Sequence, residues 1–160
     1  MNKILSLALT VILGGCTLNS SSPTSNSELV LASTTTARIL EVEATGEANS
    51  YTFAVTIESP DRGCDRYADW WEVITPEGEL LYRRVLQHSH VDEQPFTRTG
   101  GTVEIAPTQP VIVRVHMSDS GYSPIAKRGT VEDGFSEVTL PADFARSLAD
   151  SEPLPSNCAF

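Results

Sequence analysis

The chain has 160 residues, with 11 Lys+Arg against 21 Asp+Glu, a net charge of -10 and 40% hydrophobic residues. That length holds one modest domain, and the apolar fraction excludes a wholly disordered chain. A sequence whose lysines are Lys3 and Lys127 alone, and whose cations are outnumbered nearly two to one, is not a general nucleic-acid binder, because phosphate backbones are gripped by clustered Lys and Arg.

Residues 1–16 read MNKILSLALTVILGGC: a short n-region with Lys3, an apolar run from Ile4 to Leu13, then two glycines before Cys16. The run is too short to span a bilayer as a mature helix and has the length of a signal-peptide core. Gly14 and Gly15 let the backbone lie in a protease groove, and Cys16 offers a thiol that can take a lipid. Leu13-Gly14-Gly15-Cys16 resembles the lipobox of bacterial lipoproteins. The resemblance implies diacylation of Cys16, cleavage just before it and acylation of the new terminus; two or three acyl chains anchor stably where one does not. It places the protein in the bacterial cell envelope, on an outer membrane if the cell has one and otherwise on the outer face of the cytoplasmic membrane. Thr17, rather than Asp, follows the cysteine, which in that family goes with onward transport. The plain alternative is an ordinary secretory signal with Cys16 incidental. Losing the leader removes Lys3, so that 10 basic and 21 acidic side chains leave -11.

From Thr17 to Thr36 there are 11 Ser or Thr in 20 residues and a single charge, Glu28, the composition of a flexible tether. The predicted organisation is therefore a signal peptide at 1–15, a lipidated tether at 16–36 and a folded domain at 37–160. If Cys16 carries lipid, Cys64 and Cys158 remain, and in an oxidising compartment they predict one disulfide fastening the C-terminal tail across the fold. Their separation excludes a CxxC redox motif or a compact zinc knuckle; the alternative is two unpaired thiols.

The domain alternates like a β protein. ARILEVEA is a first strand. In SYTFAVTI, Tyr51, Phe53, Val55 and Ile57 share one face. Pro76-Glu77-Gly78 predicts a turn between strands near 69–75 and 79–86, with Trp71 and Val73 facing the core and Trp70 covering an edge or partly exposed. GTVEIA and PVIVRVHM form another pair around Pro107 to Pro110, and FSEVTLP is a last strand. These patterns predict an all-β, seven-stranded, two-sheet sandwich, Ig-like or fibronectin-like, with one short C-terminal helix at 141–148 whose Phe144 and Leu148 pack inward.

Three sets of residues are site candidates. His88 and His90 sit in YRRVLQHSHVDEQPFTRTGG, before the flexible pair Gly100-Gly101, with Asp92 and Glu93 nearby. An HxH pair in a strand puts both rings on one side, and His116 would complete a Cu or Zn site. The plain alternative is a polar strand end or loop. Arg84 and Arg114 read as exposed in-strand cations pairing with Glu across a sheet. Tyr67, Trp70, Trp71 and Tyr122, with Arg98, form a candidate aromatic recognition surface; against it stands the reading that both Trp fill the core. No GxSxG, HExxH, P-loop or GxGxxG occurs, so no catalytic residue is assigned. The expectation is a lipid-anchored envelope protein with a recognition or structural role, partnered by the membrane and by an envelope protein or glycan. Metal binding and a hydrolase without a recognisable motif are the alternatives.

Overall fold

The computed structural model describes residues 35–159. The leader, Cys16 and the tether as far as residue 34 lie outside the described residues. Strands run β1 (Arg38–Glu47), β2 (Ser50–Glu58), β3 (Ala68–Ile74), β4 (Leu80–Val85), β5 (Phe96–Val103), β6 (Val111–Met117), β7 (Gly121–Tyr122), β8 (Ile125–Thr130) and β9 (Gly134–Thr139). They form two antiparallel sheets, β1-β2-β5 and β4-β3-β6-β8-β9, with β7 added to β6. The all-β, two-sheet reading holds, but with nine strands among the described residues rather than seven. The added strands, β7 and β8, belong to GYSPIAKRGT, where Gly, Pro and two cations hide the alternation.

The inward alternation of β2 meets that of β6. Phe53, Val55 and Ile57 pack with Trp71, Val73, Val111, Val113, Val115 and Met117, all buried between the sheets with Phe96 and Val103. The Pro76-Glu77-Gly78 turn forms as read: Gly78, at φ 89°, donates to the Thr75 carbonyl and Thr75 N–H donates to Glu79 O, both at 2.9 Å. The expected pairing of GTVEIA with PVIVRVHM does not form. β5 pairs β2 in the smaller sheet, β6 pairs β3 in the larger, and the connection between them crosses the sandwich. Two consecutive strands can satisfy their backbones in either sheet, and the apolar inner faces of both strands are buried equally well this way. Gly100 and Gly101 lie inside β5 rather than in a flexible linker.

The outer face of the larger sheet is covered as well. β3 and β6 are buried at every position, so Trp70, Glu72 and Ile74 of β3 and Ile112, Arg114 and His116 of β6 lie under a third layer formed by residues 140–153. Leu140, Phe144 and Leu148 pack on Ile74, Ile112 and Ala126, as expected of Phe144 and Leu148. The expected helix at 141–148 is replaced by turns and a 3-10 helix, Arg146–Asp150. Ala145 adopts a left-handed conformation that an α-helix cannot contain, and the Phe144, Ala145 and Leu148 carbonyls accept from arginines of the sheet below, the last two sharing their oxygens with the Leu148 and Ser151 N–H groups. Beyond this layer Cys158 reaches Cys64, with their Cα atoms 5.6 Å apart across 94 residues of sequence. Closing a loop of that length stabilises by roughly 4–5 kcal/mol in the chain-entropy model.

Candidate functional site

The centre of the covered face is polar. Glu72 on β3 is fully buried between Arg83 of β4 and Arg114 of β6, its direct cross-strand neighbours. Arg83 Nε and Nη2 donate to Glu72 Oε2 at 2.8 and 2.6 Å, and Arg114 Nε donates to Oε1 at 2.8 Å. The remaining donors reach up to the third layer: Arg114 to Phe144 O and Ala145 O at 2.7 and 2.9 Å, Arg83 to Leu148 O at 2.6 Å and to Ser151 O. One carboxylate faces two guanidiniums, so the cluster keeps a net positive charge in a dry setting where charge acts strongly. The sequence pattern reads Arg114 as an exposed strand cation, yet it is 1% exposed because the third layer closes over it. Arg84, on the opposite phase, stays exposed.

Beside this cluster a second polar pair forms. The β3/β6 register shifts between Ala68 and Trp70, and the extra residue there, Asp69, is thereby re-aimed at His116. His116 Nδ1 lies 2.7 Å from Asp69 Oδ1. A carboxylate only accepts, so Nδ1–H donates and Nε2 is left free. Trp70 stacks on the imidazole at 3.7 Å between centroids, Tyr122 meets it edge-on at 4.8 Å, and the Arg114 guanidinium lies 3.5 Å over the Tyr122 ring. Burial, and then the charge of Glu72, push the Tyr122 hydroxyl up to about 12. These groups border a cavity of about 650 Å³, lined by Arg114, His116, Ser118, Ser120 and Tyr122 together with Pro124, Leu140, Pro141, Phe144 and Arg146. The volume is that of a small-molecule site. Among the described residues the His116 ring hydrogen-bonds Asp69 alone, so no hydroxyl is paired with it as a nucleophile would be.

The predicted histidine site does not assemble as expected. His88 and His90 lie in the loop after β4 rather than in a strand, with ring centroids 4.4 Å apart. His116 is engaged with Asp69 beside the first cavity, and no group of three or more His, Cys, Asp or Glu converges among the described residues. His88 is exposed and forms a parallel bridge with Ala159. His90 is 2% exposed, stacked at 3.8 Å on Phe96, and neither ring nitrogen has a hydrogen-bond partner. Burial, followed by the Arg98 and His88 charges, pushes its pKa down to about 4, so the ring is neutral at neutral pH. Both histidines line a second cavity of about 550 Å³ with Val91, Asp92 and Glu93. The His90 backbone is held by Asp61, a residue outside the sequence candidates. The Asp61 carboxylate accepts from Ser59 Oγ, Ala68 N and His90 N at 2.7, 3.0 and 2.8 Å, and His90 Nδ1 lies 3.8 Å away.

The aromatic recognition surface is corrected. Trp71 fills the inter-sheet core, Trp70 is 3% exposed beneath the third layer, and Tyr67 is also buried, its hydroxyl raised in pKa by burial and then by Asp69 and Asp61. Tyr122 is half-buried. Arg98 is tied to Glu93 at 2.7 Å, and that bond holds the Glu93 carboxyl below its usual range. Rings on both faces of β3 are covered because that strand is central to its sheet and layered on both sides. Glu72 and Asp69 were also missed, although a carboxylate within the apolar run ADWWEVI, facing RR and VIVRVHM, is the available signal.

Among the described residues no helix is long and apolar enough to cross a membrane. No protein-family model matches the chain, and no solved structure does. A protein of Halomicrobium mukohataei bearing the name "Putative lipoprotein" is 36% identical over 140 residues, a match covering 84% of this chain and 68% of that protein. Identity sustained over that share of both sequences establishes kinship: the chain belongs to the same family as this Halomicrobium mukohataei protein.

Proposed function

We propose that the protein is a lipid-anchored envelope lipoprotein, attached through Cys16, whose sandwich is a recognition or structural head held off the membrane by the Ser/Thr-rich tether. The carrying observation is the kinship with a protein named as a lipoprotein, found in a chain whose Leu13-Gly14-Gly15-Cys16 has the required chemistry. The disulfide supports the reading, since such bridges persist in oxidising, extracytoplasmic surroundings. The strand order β1-β2-β5 against β4-β3-β6-β8 supports an Ig-like or fibronectin-like form of sandwich. Detergent-phase partitioning of the full chain expressed in its own cells tests the anchor: Cys16→Ser should move the protein to the aqueous phase, and unchanged partitioning defeats the proposal.

A second reading, a Cu or Zn ion at His88 and His90, is favoured by one observation, the buried His90 ring whose nitrogens are both unpartnered. Buried polar atoms are rarely left so. Calorimetric titration of the full chain with Cu²⁺ or Zn²⁺ should give saturable binding that the H88A/H90A variant loses; binding unchanged by that variant excludes the reading.

A further inference from the structure

We propose that the 650 Å³ cavity between the outer face of the larger sheet and the C-terminal layer is a binding site for a small organic carboxylate. This gives the recognition reading a ligand class, rests on that reading, and is independent of the anchor.

Charge selects the sign of the ligand. The chain as a whole is strongly acidic, yet this cavity is lined by Arg114 and Arg146; the surplus guanidinium charge of the Glu72 cluster is offset by Asp69 behind His116, which leaves Arg146 as the uncompensated charge. The one acid on its rim, Asp119, is already paired with Arg66 at 3.3 Å. The Arg146 side chain is exposed and makes no ion pair or hydrogen bond among the described residues, so its donors are available to a ligand. A planar guanidinium with free donors matches a carboxylate in bidentate fashion. Focusing of a local positive field by low-dielectric walls raises the local concentration of anions even on an acidic protein.

Shape selects the rest. Leu140, Pro141 and Phe144 also line the cavity and offer apolar surface and few hydrogen-bonding groups. A ligand therefore needs an apolar body beside its carboxylate, and an inorganic anion would leave that surface uncovered. His116, with Asp69 and Trp70 fixing its ring, presents Nε2 as a rigid reporter at the cavity edge.

The sequence contains three histidines, so imidazole resonances are few and can be assigned by single His→Gln variants. The experiment titrates the full chain, in non-ionic detergent, with phenylacetate, with its neutral counterpart 2-phenylethanol and with inorganic phosphate, and follows the His116 ring by NMR. Phenylacetate should shift the His116 signals saturably while those of His88 stay in place, and Arg146→Gln should weaken that binding at least fivefold. The alcohol and phosphate should each bind at least fivefold more weakly than phenylacetate. An unmoved His116 signal overturns the proposal, as does equal binding of the alcohol or of phosphate, or an R146Q affinity equal to that of the parent chain. Arg146 is exposed and unpaired, so R146Q should keep the fold, which the unchanged His88 signals would verify. Failure here with Cys16-dependent partitioning intact removes this ligand class alone. Failure of partitioning with binding intact removes the anchor alone.

Discussion

Replacing Glu72 with Gln keeps the size of the side chain and removes its charge, which leaves Arg83 and Arg114 facing one another without a counter-ion. Both guanidiniums are essentially without solvent contact, at 0% and 1% side-chain exposure, so water cannot screen them. The amide also turns one oxygen, which accepts from two donors of Arg83, into a potential donor aimed at a donor. Breaking a buried pair from one side costs about 3–5 kcal/mol, against a total domain stability of about 5–15 kcal/mol. For a domain of this size that corresponds to a melting temperature lower by roughly 10–20 °C. The arginines also hold the third layer through the Phe144, Ala145 and Leu148 carbonyls, so its residues should lose hydrogen-exchange protection first. Glu58→Gln is the control. It breaks an ion pair of equally short distance, 2.6 Å to Arg38, but with 48% and 31% side-chain exposure, and should cost no more than about 1 kcal/mol. Urea denaturation of both variants decides the matter: an E72Q loss no greater than that of E58Q refutes the reasoning from burial.

His90 should make stability depend on pH. Its ring is neutral in the fold down to about 4, whereas in the unfolded chain it takes a proton near 6.5; the unfolded state therefore binds more protons between these values, and stability is lost as pH falls through that window. The loss is of order 3 kcal/mol and shows as the difference between the parent and His90→Gln profiles; identical slopes from pH 7 to pH 4.5 would contradict it. Replacing both Cys64 and Cys158 with Ser should lower stability by about 4 kcal/mol, and denaturation curves that superimpose on the parent's would show that the bridge contributes nothing. Gly129→Ala would drive its methyl carbon into the Gly134 carbonyl across the β8/β9 hairpin, where backbone rather than a flexible side chain must yield. A loss of at least about 2 kcal/mol is expected by urea denaturation, and a neutral effect would mean that the hairpin opens freely.

Period-2 alternation in SYTFAVTI and VIVRVHM, and the Pro76-Glu77-Gly78 turn, are local signals, so the β character, the inter-sheet core and the β3/β4 hairpin are legible in the sequence alone. So is the pairing of Cys64 with Cys158, from cysteine parity. Alternation reports that a strand has two unlike faces and is silent on what each face meets. Whether β5 joins β2 or β6 is a choice between partners distant in sequence, made by burial of both strands together. Likewise, Glu72, Arg83, Arg114 and His116 look like solvent-facing residues until residues 140–153 cover them. Only that third layer makes buried ions of these side chains, removes Trp70 from the surface and encloses the cavity beside His116. Its position depends on carbonyls and guanidiniums meeting over long sequence separations, a match of geometry that no local pattern of residues encodes.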